Sequence, residues 1–291
     1  MDSPAARIVL GVTAVGLYAW QAIFPVQPAG VAEQTPQQIA GEAAKVKTMI
    51  KEARYEEALR PALELSASFP QNDIYINQLA DIYHQQHRPK EEAEQWERYM
   101  NVSPTPEDAC PHLNHAYLTM RDRARQTASA ERCVALDPKN VDLIFTLAHV
   151  REMHGDIKEA RELYERGIAL APEDWDLHIG LGRVYLRQGE KKKALALALL
   201  AARKTPNDPE AFLLLGMCRY QTGQPALAHQ ALERGLALTD NYADLHFLLA
   251  RVAQAESQDE TARVHYERAL QLEPDNAQAR KYLADLRRPG R

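Results

Sequence analysis

GDIKEARELYERGIALAPED, residues 155–174, opens on a glycine, sets Ala160 and Tyr164 one helical turn apart and closes around Pro172. Residues four apart share one face of a helix, and glycine and proline are the residues that end helices. Steps of 34 from Pro172 reach Pro36, Pro70, Pro104, Pro138, Pro206, Asp240 and Pro274. Seven of these eight positions are proline in a chain with only 17, so the stretch is one copy of a repeat.

Other slots recur with the same step. Leu79, Leu113, Leu147, Leu181, Leu215 and Leu249 share one slot, broken only by Lys45 in the first copy, and the next position is small in Ala80, Ala148, Gly182, Gly216 and Ala250. Ala58, Ala160, Ala194, Ala228 and Ala262 share a third slot, Trp96, Tyr164, Leu232 and Tyr266 a fourth, and Gly155, Gly189 and Gly223 mark a turn. Leucine and the small residue lie on one stripe of a first helix, and alanine and the large residue on one stripe of a second. Small residues permit close helix approach, and Asn140, Asp174, Asp208 and Asn276 stand where a first helix needs a cap. One such hairpin cannot bury its stripes alone, so the copies must stack.

These slots resemble the tetratricopeptide repeat family. The resemblance implies an all-α fold, a right-handed α-solenoid of helix-turn-helix repeats. It covers residues 39–276 as seven repeats (39–72, 73–106, 107–140, 141–174, 175–208, 209–242 and 243–276), with 277–291 as a capping helix and tail. Repeat two has Glu92 in the alanine slot. Repeat three departs furthest, with Asn114 for the small residue, Gln126 for the alanine and no turn glycine.

Residues 8–24, IVLGVTAVGLYAWQAIF, carry no charge and end at Pro25. Seventeen residues span roughly 25 Å as a helix, near the lower limit for crossing a membrane. Residues 1–25 therefore read as an N-terminal hydrophobic helix, an uncleaved anchor or alternatively a cleaved signal, and 26–38 as a linker. Arg7 is the only nearby flanking base and orients the repeats outward, to the periplasmic side of a bacterial inner membrane.

A net charge of −5 and a pI of about 6.1 argue against a nucleic-acid surface. No phosphate-binding glycine loop, nucleophile elbow or zinc-helix motif appears, so no enzyme, cofactor, metal or small-molecule substrate is expected. His115 and His149 share a slot in adjacent repeats, with His112 close by, but nothing completes a ligand set. Three cysteines are too few for a disulfide scaffold. Cys110 and Cys133 lie at ends of one hairpin that meet, so they form either a disulfide or two separate buried thiols.

In the family the first helices line a concave surface that binds peptides or partner helices. The corresponding apolar slot here holds Phe145, Ile179, Leu213 and Phe247, and a second slot holds His115, His149, Arg183, Met217 and Arg251. The first set is either an accessible ladder or interior packing. If accessible, it suits an apolar segment carrying acidic groups. Asp108, Asp142, Asp176, Glu210 and Asp244 read as first-turn acids that offset the positive helix ends. Asn77 followed by Asp81 disfavours the carboxylate clamp by which some members hold chaperone tails. The expected function is a non-enzymatic scaffold tethered to a membrane. A cytosol-facing organelle receptor and a permanent structural subunit are the alternatives.

Overall fold

The computed structural model describes residues 35–286. It contains fifteen α-helices, and no strand occurs among the described residues. The chain divides into two compact units, the first ending at Ser68 and the second beginning at Phe69.

In the first unit α1 (Pro36–Lys51) pairs with α2 (Tyr55–Ser68). Thr35 and Gln38 cap α1 reciprocally: the Gln38 N–H donates to Thr35 Oγ1 at 3.3 Å, and the Thr35 N–H donates to Gln38 Oε1 at 2.8 Å. The helix therefore begins inside the segment expected as linker, because Pro36 suits the first helical position and Thr35 can cap it. Val46, Ala58, Ala62 and Leu65 form its interior.

The second unit is a run of antiparallel pairs: α3 (Asp73–Gln85) with α4 (Pro89–Val102), α5 (Ala109–Thr119) with α6 (Arg123–Leu136), and α7 (Val141–His154) with α8 (Ile157–Leu170). It continues with α9 (Trp175–Arg187) and α10 (Lys191–Lys204), α11 (Pro209–Gln221) and α12 (Pro225–Leu236), and α13 (Ala243–Ala255) and α14 (Asp259–Leu272). A final α15 (Ala277–Leu286) packs on α14. The caps are those the sequence offers. Asn140 accepts from the Leu143 N–H at 3.1 Å, Asp174 from Asp176, Asp208 from Glu210, and Asn276 from the Ala279 N–H at 3.0 Å.

Between the two helices of every pair, one residue takes the left-handed conformation. These residues are Ala53, His87, Arg121, Gly155, Gly189, Gly223 and Ser257, with φ between 54° and 93°. They recur every 34 residues, so the backbone keeps the repeat where the side chain does not. Only glycine takes this conformation without strain; the other four cost on the order of 1 kcal/mol each.

The interior follows the slots. Leu79, Leu113, Leu147, Leu181 and Leu249 are buried, as are Ala160, Ala194, Ala228 and Ala262 and the rings of Trp96, Tyr164 and Tyr266. Gly180 is indispensable in a different way: a Cβ there would lie 2.3 Å from Tyr164 Cε1. Successive first helices α7, α9, α11 and α13 also touch one another, while no comparable contact joins successive second helices. The first helices are thus drawn together and form the inner layer of this unit.

No described helix is long and apolar enough to cross a membrane. Residues 8–24 lie outside the described part.

Candidate functional site

The inner layer presents its side chains from α7, α9, α11 and α13. Of the four apolar rungs expected there, Ile179 and Leu213 are interior, 2% and 6% exposed. They pack between neighbouring helices, because glycine and alanine in adjacent slots bring those helices close. Interior packing is thus the correct description for these two. Phe145 and Phe247 are only half-buried. The Phe145 ring stands 6.1 Å from Tyr164 and 6.2 Å from the parallel imidazole of His149. Phe247 sits between Tyr266 and Tyr282, at 5.9 and 6.1 Å. Met217 is half-buried beside Leu213.

Of the two arginine rungs, only Arg183 is neutralised by carboxylates. Arg183 reaches Glu152 with Nε at 3.2 Å and Glu210 with Nη1 at 3.4 Å. Glu152 is 3% exposed and also accepts the Tyr164 hydroxyl at 2.9 Å. Burial alone would raise its pKa. His149, 3.9 Å away, and the charge and hydrogen bonds of Arg183 and Tyr164 outweigh that and hold the carboxyl at about 2. Burial works against Arg183 too, yet Glu152 and Tyr164 raise its pKa further. Arg251 stacks on Tyr282, 4.2 Å from the ring centre, and also lies over Tyr220 at 5.8 Å. His115 is exposed, 5.5 Å from the ring of His84, and the structure does not bring it together with His149. His112 instead stacks on Trp96 at 4.0 Å. No group able to hold a metal ion occurs among the described residues.

The first turns of this layer are acidic. Asp142, Asp176, Glu210 and Asp244 occupy first turns as expected, where they offset the helix dipoles. Burial also pushes up the pKa values of Asp176, Glu210 and Asp244. Neighbouring carboxylates raise them further, and Arg183 partly offsets this. Glu210 feels these effects while 40% of its side chain remains accessible, as expected of a carboxylate on a walled surface. The 34-residue spacing of these acids is visible in the sequence; their crowding around one neutralised arginine is not.

Cys110 and Cys133 are joined, both buried and separated by 23 positions in the sequence. The bond lies beside a cavity of about 150 Å³ lined in part by Pro111, Asn114 and Asp142. Cys218 is a buried thiol whose pKa burial pushes up to about 12, which keeps it protonated and inert.

Residues 151–218 match a family model described as tetratricopeptide repeat. The chain carries tetratricopeptide repeats. Its fold resembles a tetratricopeptide repeat protein from Parabacteroides merdae, with a TM-score of 0.76 at 11% identity over 86% of this chain and 99% of that one. A thermophilic tetratricopeptide repeat protein of Thermus thermophilus gives 0.57 at 21% identity over 62% of this chain and 98% of its own. A chain of the APC/C hetero-tetramer Cut9–Hcn1 gives 0.62 at 17% identity over 92% of this chain and 51% of that chain. At these identities the likeness is one of fold. No curated protein matches the chain in sequence.

Proposed function

We propose that this chain is a non-enzymatic scaffold, tethered through residues 8–24, that holds a protein partner on the layer formed by its first helices. The observation that carries the reading is the asymmetry of that layer. The first helices are drawn together, yet half-buried Phe145, Met217 and Phe247 and the acids of successive repeats are left uncovered. Such a surface suits an amphipathic helix or extended segment with apolar anchors. Its charged groups are basic, not acidic as the sequence suggested, because Arg183 is already paired with carboxylates while Asp176 and Asp244 are not paired. Complex formation by the Cut9–Hcn1 relative supports a protein partner in general terms.

Photocrosslinking from a reactive residue at Met217, with Leu199 on the exposed side of α10 as the control, tests the surface. Capture of one defined partner from Met217 and none from Leu199 is expected; equal capture from both refutes the proposal.

For location, we infer an extracytoplasmic position. The Cys110–Cys133 bond supports it, since such bonds persist in oxidising compartments and not in the cytosol. That observation also weighs against a cytosol-facing receptor. Protease added to spheroplasts should digest the repeats without rupture of the inner membrane. Digestion only after rupture would place them inside.

A further inference from the structure

A second concavity lies away from the acidic layer, at the edge where first helices turn into second helices. It measures about 400 Å³, the size of a small-ligand site. Arg121 and Arg123 from the turn between α5 and α6 line it, together with Arg187 at the end of α9. Leu118, 47% exposed, and Met153 supply an apolar floor.

The arginines differ from most others in the chain. Arg54, Arg60, Arg132, Arg151, Arg161, Arg183, Arg263 and Arg268 all hold carboxylates. The side chains of Arg121 and Arg123 have no hydrogen-bond or ion-pair partner among the described residues. Arg187 donates to the backbone carbonyl of Glu152 through one nitrogen and stands 4.0 Å from the Glu152 carboxylate through its Nε, and no carboxylate lines the cavity itself. Two cations without a counterion, Arg121 and Arg123, lie beside Arg187 here, a costly arrangement unless an anion relieves it.

The wall is also fixed in advance. Gln126, 2% exposed, donates to Asn114 Oδ1 at 2.9 Å, and its Oε1 meets His154 Nε2 at 3.0 Å. Thr127 holds the other nitrogen of His154 at 2.9 Å. With both ring nitrogens engaged, the imidazole is part of the frame. Burial, then the charge of Arg123, lowers its pKa, which places that guanidinium within electrostatic reach of the ring.

We propose that this cavity binds a small organic phosphate, the dianionic phosphate lying between Arg121, Arg123 and the remaining nitrogen of Arg187 and the organic body over Leu118 and Met153. Guanidinium forks match phosphate oxygens in bidentate fashion. A phosphate monoester, close to two negative charges at neutral pH, balances two unpaired cations where one carboxylate balances half of them. The site is independent of the partner surface, and neither proposal requires the other.

Calorimetric titration of the full-length protein in detergent with phenyl phosphate tests it, with benzoate as the matched carboxylate. Saturable one-to-one binding of phenyl phosphate is expected, at least tenfold tighter than benzoate. Arg121→Gln and Arg123→Gln should each weaken it about tenfold, and the double variant should abolish it, with ligand-free melting unchanged. Arg203→Gln, which removes an exposed arginine elsewhere, should bind like the parent. No saturable binding, equal affinity for benzoate, or equal weakening by Arg203→Gln would each overturn the proposal.

Discussion

The pairs α5–α6 and α9–α10 follow the same backbone course with different interiors. In α9–α10 the slots are filled by Gly180, Gly182, Ala194, Ala198 and Ala201, all buried, and the turn is made by Gly189. In α5–α6 the small residue is Asn114, the alanine is Gln126 and the turn residue is Arg121 at φ 56°. The second set is as self-consistent as the first. Asn114 and Gln126 satisfy each other, His154 from the next pair completes the set, and a disulfide closes the far end. One solution holds helices by close contact between small residues, the other by directional bonds. Small-residue packing tolerates slip in no single partner, whereas a bonded interior fails as soon as one partner is lost.

The largest expected effect lies in the buried ion network that joins α7 to α9. Glu152→Gln leaves Arg183 buried with only the half-exposed Glu210, and should cost on the order of 3–5 kcal/mol. Hydrogen exchange should localise the loss to α7–α9 and spare α5–α6. The parent should also show acid sensitivity here. A carboxyl held at about 2 against an ordinary 4.5 contributes fully above pH 4.5, and that contribution is lost as pH falls toward 2. The difference corresponds to on the order of 3 kcal/mol, and the variant should lack that acid limb. An unchanged limb would remove Glu152 as its cause.

Next comes the bonded half. Closure of a 23-residue segment stabilises by about 3 kcal/mol in the chain-entropy description, so Cys110→Ser with Cys133→Ser should destabilise α5–α6 by that order. If thermal melting of the double serine variant matches the parent, the polar pair alone holds this repeat. Gln126→Ala should cost about 2 kcal/mol, because it strands Asn114 and His154. Combined with Asn114→Ala, the loss should fall short of additivity by about 1 kcal/mol in a double-mutant cycle of chemical denaturation. Strict additivity would mean that the pair does not function as a unit.

This contrast also shows what could be read from the letters. The slots at Leu181, Ala194 and Tyr164 repeat because packing in a stack is nearly one-dimensional, so each copy reports the same environment. Asn114 and Gln126 looked like departures, since their compensation runs between two helices and on to His154 in the next repeat. On the inner layer, residue type was legible and availability was not. Arg183 read as a basic rung, but the Glu152 that neutralises it lies 31 residues upstream in another repeat. Ile179 and Leu213 read as rungs or as core with equal warrant, and only the spacing set by their small neighbours decides for core.

The smallest effect probes what both halves share, the left-handed turn slot. A Cβ at Gly189 meets nothing within 4 Å, so Gly189→Ala carries backbone strain alone and should cost about 1 kcal/mol. The reverse change relieves strain where it is already present: Ser257 at φ 60° and His87 at φ 54° are both exposed. Ser257→Gly and His87→Gly should each stabilise by about 0.5 kcal/mol, since glycine's greater freedom in the unfolded chain offsets part of the gain. Urea denaturation read by circular dichroism resolves changes of this size as a shift of midpoint at constant slope. Destabilisation by both glycine variants would mean that the turn slot is held by its side chains rather than by its backbone, and the equivalence of the two kinds of repeat would fail at the one position where it is most regular.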